Sequence, residues 1–188
     1  MRSLTDPVEA RLLQAALELL AERGYRGATT KEIARRAGVS EVTLFRRFGS
    51  KEALLQRALS AFVPHGLLER LPGAEAPLEA GLRALLEAYL DLVEGRRALL
   101  PKLLAELLRH PELKAQGLLA AMEGVVGFFR AKQEAGALWR GEPPEELALA
   151  FLGPLMARFL LGEALGVRLA LDKEAYVRGY LEGRYGGG

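Results

Sequence analysis

Apolar residues recur along this chain at spacings of three and four and almost nowhere at spacing two. Val8, Leu12, Leu13, Ala16, Leu17 and Leu20 form the first such stripe, one buried face of a helix. Asp6-Pro7-Val8-Glu9 supplies its start, with a capping carboxylate, a proline at the first helical position and an acid in the first turn; Gly24 is its stop. Thr29-Thr30-Lys31-Glu32 then caps a second, short helix with Ile33, Ala34 and Ala37 on its apolar side and Gly38 at its end. Only Val39 separates that glycine from Ser40, which caps a third short helix whose Leu44 and Phe48 share a face.

Gly49-Ser50 ends the third helix and caps a fourth, which carries Leu54, Leu55, Ala58, Leu59 and Phe62 and closes at Pro64 and Gly66. Two short helices around a glycine-containing turn read as a helix-turn-helix. After a linker to about Pro77, the same periodicity predicts helices over Leu78 to Val93, Ala98 to Arg109, Glu112 to Glu134, Glu145 to Leu165 and Lys173 to Tyr185. Pro154 is expected to kink the fourth of these. The fold class is all-α, with an N-terminal three-helix DNA-binding module followed by a larger helical domain. A single isoleucine, Ile33, and the lack of strand-like alternation support it.

The formal net charge is only +2, but its distribution is uneven. Arg23, Arg26, Lys31, Arg35, Arg36, Arg46, Arg47 and Lys51 face only Glu32 and Glu41 between residues 23 and 51, so the helix-turn-helix is basic and the remainder acidic. A recognition helix needs a buried anchor on one side and small, polar or basic groups on the other, and the third helix supplies both. Leu44 and Phe48 can anchor it on the first helix. Glu41, Val42, Thr43, Phe45, Arg46 and Arg47 remain on the outward side.

The stretch GATTKEIARRAGVSEVTLFRRFGSKEALL resembles the DNA-binding domain of the TetR family of bacterial regulators, in register from about Leu12 to Leu55. The resemblance implies DNA contacts at Thr30, Lys31, Ser40, Glu41, Val42, Thr43, Phe45, Arg46, Arg47 and Lys51. In such proteins the front of the recognition helix enters the major groove, and the residue matching Thr43 holds the backbone. Phe45 departs from the family, whose usual tyrosine bonds a phosphate there. Arg46 and Lys51 are expected on phosphates and Arg47 on a base.

The resemblance further implies a DNA-binding domain over residues 1–50, a connecting helix over 50–62, and a helical effector-binding and dimerisation domain over 51–188. It implies a repressor, double-stranded palindromic DNA as partner, and a homodimer through the last two helices. Its recognition helices would lie about 34 Å apart, one turn of DNA. The stripe Tyr176, Val177, Tyr180 and Leu181 offers itself to that interface, beside the largely apolar helix at 145–165.

After Ser60 the chain has no Ser, Thr, Asn or Cys, so an effector pocket built from it suits a largely apolar small molecule. Tyr89, Gln116, Gln133, Trp139, His65, His110 and the C-terminal tyrosines are the neutral polar groups at hand. Arg97, Glu106, Arg130 and Arg158 are charged anchors of which none stands out, and exposed or salt-bridged positions explain them equally. Trp139 and the Phe128-Phe129 pair read as core. The effector-binding residues stay unassigned.

No cysteine is present, which removes disulfides, thiolate metal sites and a cysteine nucleophile. No H-E-x-x-H, G-x-S-x-G or Walker A pattern occurs, so neither catalytic nor metal residues are assigned, no cofactor is expected, and an enzyme is the weaker reading. A DNA-binding regulator or architectural protein without an effector is the other rival. The first residues hold Asp6 and Glu9 rather than an apolar segment, and no uninterrupted apolar run approaches the ~18 residues of a membrane span, so a cytoplasmic protein without membrane contact is expected.

Overall fold

A computed structural model describes residues 6–63, 70, 73 and 75–183, and every regular element among them is helical. In chain order these are α1 (Pro7–Gly27), α2 (Thr30–Ala37), α3 (Glu41–Phe48), α4 (Lys51–Phe62), α5 (Leu78–Gly95), α6 (Leu100–Arg109), a 3-10 turn (Pro111–Leu113), α7 (Gln116–Glu134), α8 (Pro144–Leu165) and α9 (Lys173–Glu182). The caps expected from sequence are made. Asp6 accepts the Val8 N–H at 2.9 Å, Thr29 that of Glu32 at 3.3 Å, Ser40 that of Thr43 at 3.2 Å and Ser50 that of Ala53 at 3.0 Å. Pro64, His65, Gly66, Tyr185 and Gly186 to Gly188, which figured in the sequence reading, lie outside the described residues.

Two compact units divide the chain. The first takes residues 1–64 together with 96–119, and the second takes 65–95 together with 120–188. In the first unit α1 packs against α2, α4 and α6, while α3 leans mainly on α2 and α4 rather than on α1 as expected. Leu12, Leu19, Leu20, Ile33, Leu44, Leu54 and Leu55 are fully enclosed and form its centre. Packing does not divide the chain after residue 50, because α4 and α6 are built into the first unit.

Gly24 does more than stop α1. Its φ of 68° and ψ of 179° lie in a region essentially reserved for glycine, so the chain turns there before one last helical turn. Gly38, at φ 69° and ψ 36°, is the left-handed cap that ends α2, and only Val39 and Ser40 separate it from α3.

The second unit is built on aromatic mass. Phe128 and Phe129 of α7, Phe151 of α8 and Tyr180 of α9 are buried, with ring centroids 5.0 to 6.2 Å apart along the chain of contacts. Tyr180 donates its hydroxyl to the Leu147 carbonyl at 2.8 Å, and Tyr176 donates to the Phe151 carbonyl. These bonds correct the sequence reading of the last helix. Val177 and Tyr180 are buried in the chain's own core and Tyr176 is bonded to it, so that stripe is already used within one subunit.

α8 is continuous through Pro154, the expected site of a kink. Three further expectations change. The helix expected from Glu112 begins only at Gln116, after the 3-10 turn and Lys114 at a φ of 35°. Trp139 is 54% exposed and not core. α8 also has a mean hydropathy of 1.5 over an 18-residue window, so by length and composition it is long and apolar enough to cross a membrane, contrary to expectation. Its scattered charges hide this in a search for uninterrupted runs. Leu147, Ala148, Phe151, Leu155 and Phe159 place one side of it in the core of the second unit.

Candidate nucleic-acid interface

The outward side of α3 carries two exposed apolar residues, Val42 at 76% exposure and Phe45 at 45%. Leu44, which the same helix buries completely, fixes the rotation that presents them. Four of the expected contact residues are bonded to one another. The Thr30 hydroxyl donates to the Glu41 carboxylate at 2.5 Å, tying the start of α2 to the start of α3. Ser40 and Thr43 share a hydroxyl–hydroxyl bond of 2.9 Å in the first turn of α3. The front of the helix is thus pre-ordered by its own polar groups.

The basic residues sort into two groups. Arg35 grips Glu32 with two bonds of 2.6 and 3.0 Å, with Arg23 at 3.5 Å from the same carboxylate. Arg36 spans Glu22, at 2.8 Å, and Glu18, at 3.6 Å. These guanidiniums hold Glu32 and Glu22 below the ordinary carboxylate range. Arg47, expected on a base, turns back to Asp6 at 2.5 Å. Asp6 titrates below its ordinary value, first because of the Val8 N–H it accepts and then because of Arg47. In contrast, Arg26, Lys31 and Arg46 are exposed and have no carboxylate partner among the described residues.

Lys51 belongs to neither group. Its ammonium donates to the Tyr25 carbonyl at 2.7 Å and sits 4.0 Å from the centre of the Tyr25 ring. The Tyr25 hydroxyl donates to Glu52 at 2.6 Å, which pushes the phenol up to about 12 and the Glu52 carboxyl down. Sequence reasoning missed Tyr25. The available signal was its place directly after Gly24, where a helix that has just turned exposes a backbone N–H. It also missed Asp6 as the partner of Arg47, a pair that only the fold brings together.

Outside this face, a shallow cleft of about 380 Å³ is lined by Arg130, Gln133, Glu134, Arg140 and Pro144. Arg140 there donates to the carbonyls of Gln133 and Glu134, and Gln133 to those of Trp139 and Glu142, so these side chains staple the turn between α7 and α8. Within the second unit the Tyr89 hydroxyl and the Arg158 Nε are withdrawn from solvent with no hydrogen-bond partner among the described residues. Burial raises the Tyr89 phenol well above its ordinary value. No group of three or more potential metal ligands is found among the described residues.

A short capped helix, set after a three-residue turn with an exposed apolar and cationic face, is the geometry of a helix-turn-helix that reads the major groove. The comparisons agree. The family model described as "Bacterial regulatory proteins, tetR family" matches residues 12–58. The transcriptional regulator UidR of Escherichia coli is 28% identical over 186 residues, covering 95% of this chain and 88% of its own. Among solved structures, the flavonoid-responsive regulator FrrA superposes with a TM-score of 0.73 at 25% identity, covering 96% of this chain and 98% of its own. FadR of Bacillus subtilis, solved in complex with stearoyl-CoA, superposes with a TM-score of 0.69 at 18% identity over 92% of this chain and 95% of its own.

The chain is a DNA-binding transcriptional regulator and not an enzyme. Its helix-turn-helix segment, residues 12–58, matches the DNA-binding domain of the tetR family, and regulators of that kind are similar to it over most of its length.

Proposed function

We propose that the protein is a dimeric repressor that leaves a palindromic operator when a largely apolar small molecule binds its C-terminal domain. The observation that carries the DNA-binding part is the α3 face itself. Val42 and Phe45 stand exposed beside Arg46 and Lys31, cations with no carboxylate to satisfy among the described residues. On this reading Val42 and Phe45 meet thymine methyls or sugar, Lys31, Arg46 and Lys51 meet phosphates, and Thr30, Ser40, Glu41 and Thr43 exchange bonds among themselves for bonds to DNA. Arg47 reads a base only if it leaves Asp6. The pair lies at the surface, where water can replace it, and that permits the exchange.

The domain assignment follows the same reading: DNA binding by residues 1–50, connection by 50–62, and effector binding and dimerisation within 51–188. For the dimer, the stripe on α9 is spent, and the face of α8 opposite its core side takes over. Leu149, Met156, Leu160, Leu161 and Leu165 lie outside the buried side of α8, all half-buried or exposed. A second copy covers them, which places the apolar length of α8 in an interface rather than a bilayer. The protein works in the cytoplasm.

For the effector, the buried Tyr89 hydroxyl and Arg158 Nε are the polar anchors beside a largely apolar, aromatic core. FrrA is flavonoid-responsive and FadR binds stearoyl-CoA, so flavonoids and acyl thioesters are the first compounds to try. The test is operator binding by fluorescence anisotropy with and without such a panel, alongside melting temperature. A compound that raises the melting temperature and releases DNA supports the ligand-responsive reading. Equal operator affinity at saturating effector would leave a regulator without release.

A further inference from the structure

Lys51 is held by a residue that is itself held from a distant part of the sequence. The turn at Gly24 leaves the Tyr25 N–H pointing out of α1, and the Glu106 carboxylate of α6 accepts it at 2.8 Å. Glu106 is 7% exposed and takes a second bond, of 2.7 Å, from Arg109. A Cβ at position 24 would meet the Glu106 carboxylate at 3.1 Å, so the glycine is what lets the carboxylate approach. Burial pushes the Glu106 carboxyl up, but the Tyr25 N–H and Arg109 outweigh it and hold the group below its ordinary range.

His110, directly after α6, lies against the Tyr25 ring at 4.6 Å between centroids. Every polar group of Tyr25 is therefore committed, the N–H and ring toward α6 and the segment after it, the carbonyl and hydroxyl toward the first two residues of α4. The Lys51 ammonium spends one of its three donors on the Tyr25 carbonyl and keeps two.

We propose that Glu106 and Tyr25 are positioning residues for the DNA grip: Glu106 fixes Tyr25, and Tyr25 holds the Lys51 ammonium where it meets a backbone phosphate. The proposal rests on the reading of Lys51 as a phosphate contact. It gives α6 a hold on the DNA-binding surface without touching DNA, and a displacement of α6 loosens Lys51 through Tyr25.

A double-mutant cycle on the full chain tests it, using a labelled duplex of mixed sequence titrated at several salt concentrations. Lys51→Met should weaken binding and lower the salt slope by about one per recognition unit. Tyr25→Leu, which keeps Lys51 but removes its ring, should weaken binding about two- to five-fold. In the Lys51→Met background the same change should have no further effect. Tyr25→Phe, which retains ring and backbone, should bind as the parent.

Glu106→Ala should behave as Tyr25→Leu does, and Glu106→Gln, which keeps an acceptor for the Tyr25 N–H, should recover part of the loss. If Glu106→Ala does not fold, the glutamine variant and Tyr25→Leu carry the cycle. An unchanged affinity and slope for Lys51→Met would refute the phosphate reading of Lys51. Equal weakening by Tyr25→Leu in both backgrounds would refute the positioning role and leave Tyr25 a structural residue only.

Discussion

The two units of this protein are stabilised by different means. In the first, α2, α3 and α4 are only 8 to 12 residues long, and each is started by a side-chain cap and tied to its neighbours by charged or polar bonds. In the second, α5, α7 and α8 run 18 to 22 residues and converge on one aromatic cluster. Short helices are marginal alone, so their ends must be specified by particular side chains, and those same polar ends are what DNA phosphates recognise. Long apolar helices need no such specification. Their shape is set by volume, and an apolar interior suits an apolar ligand.

Substitutions in the two units should therefore fail differently. Phe151→Ala, fully buried among Phe129, Tyr176 and Tyr180, should cost about 3–5 kcal/mol in denaturant unfolding. A loss below about 1 kcal/mol would mean the cluster is not the core of its unit. Gly24→Ala should cost about 1–3 kcal/mol, because φ 68° with ψ 179° excludes a side chain, and should weaken DNA binding along with stability. Ser40→Ala removes the α3 cap and should cost about 1 kcal/mol, a local loss that the second unit does not share.

Acid should act on the first unit through Glu106. Its folded-state pKa is lowered, so its contribution is complete above the ordinary value of 4.5 and is lost as pH falls through the lower folded value. The acid limb of a stability–pH curve should be shallower for Glu106→Gln than for the parent, and superimposable limbs would contradict the account. Smallest in stability is Arg46→Ala, expected within about 0.5 kcal/mol of the parent by melting. The same change should lower the salt slope of DNA binding by about one, so the two measurements separate a contact from a structural role.

The contrast also explains what was legible in the sequence. Asp6, Thr29, Ser40 and Ser50 announced their helices because capping needs specific side chains at fixed offsets, and each makes its expected bond. The glycines at 24 and 38 were legible as stops for the same reason. Apolar stripes carry no such address. Tyr176, Val177 and Tyr180 share a face whether another subunit or the same chain covers it, and only the fold showed that Phe151 and Leu147 do. The partner of Arg47 was not legible either: an outward arginine on a recognition helix gives no sign that the fold sets Asp6 beside it. Tyr25 and Glu106 are 81 positions apart, so no local pattern could pair them.

The central claim, that α3 and its flanking cations read DNA as a symmetric pair, is tested most directly by selecting bound sites from random duplex DNA with the purified protein. The account predicts an inverted repeat whose half-site centres lie about one helical turn apart, with enrichment lost when Val42, Phe45 and Arg46 are all replaced by alanine. Recovery of no common sequence, of an asymmetric one, or of the same repeat with the triple variant would contradict it.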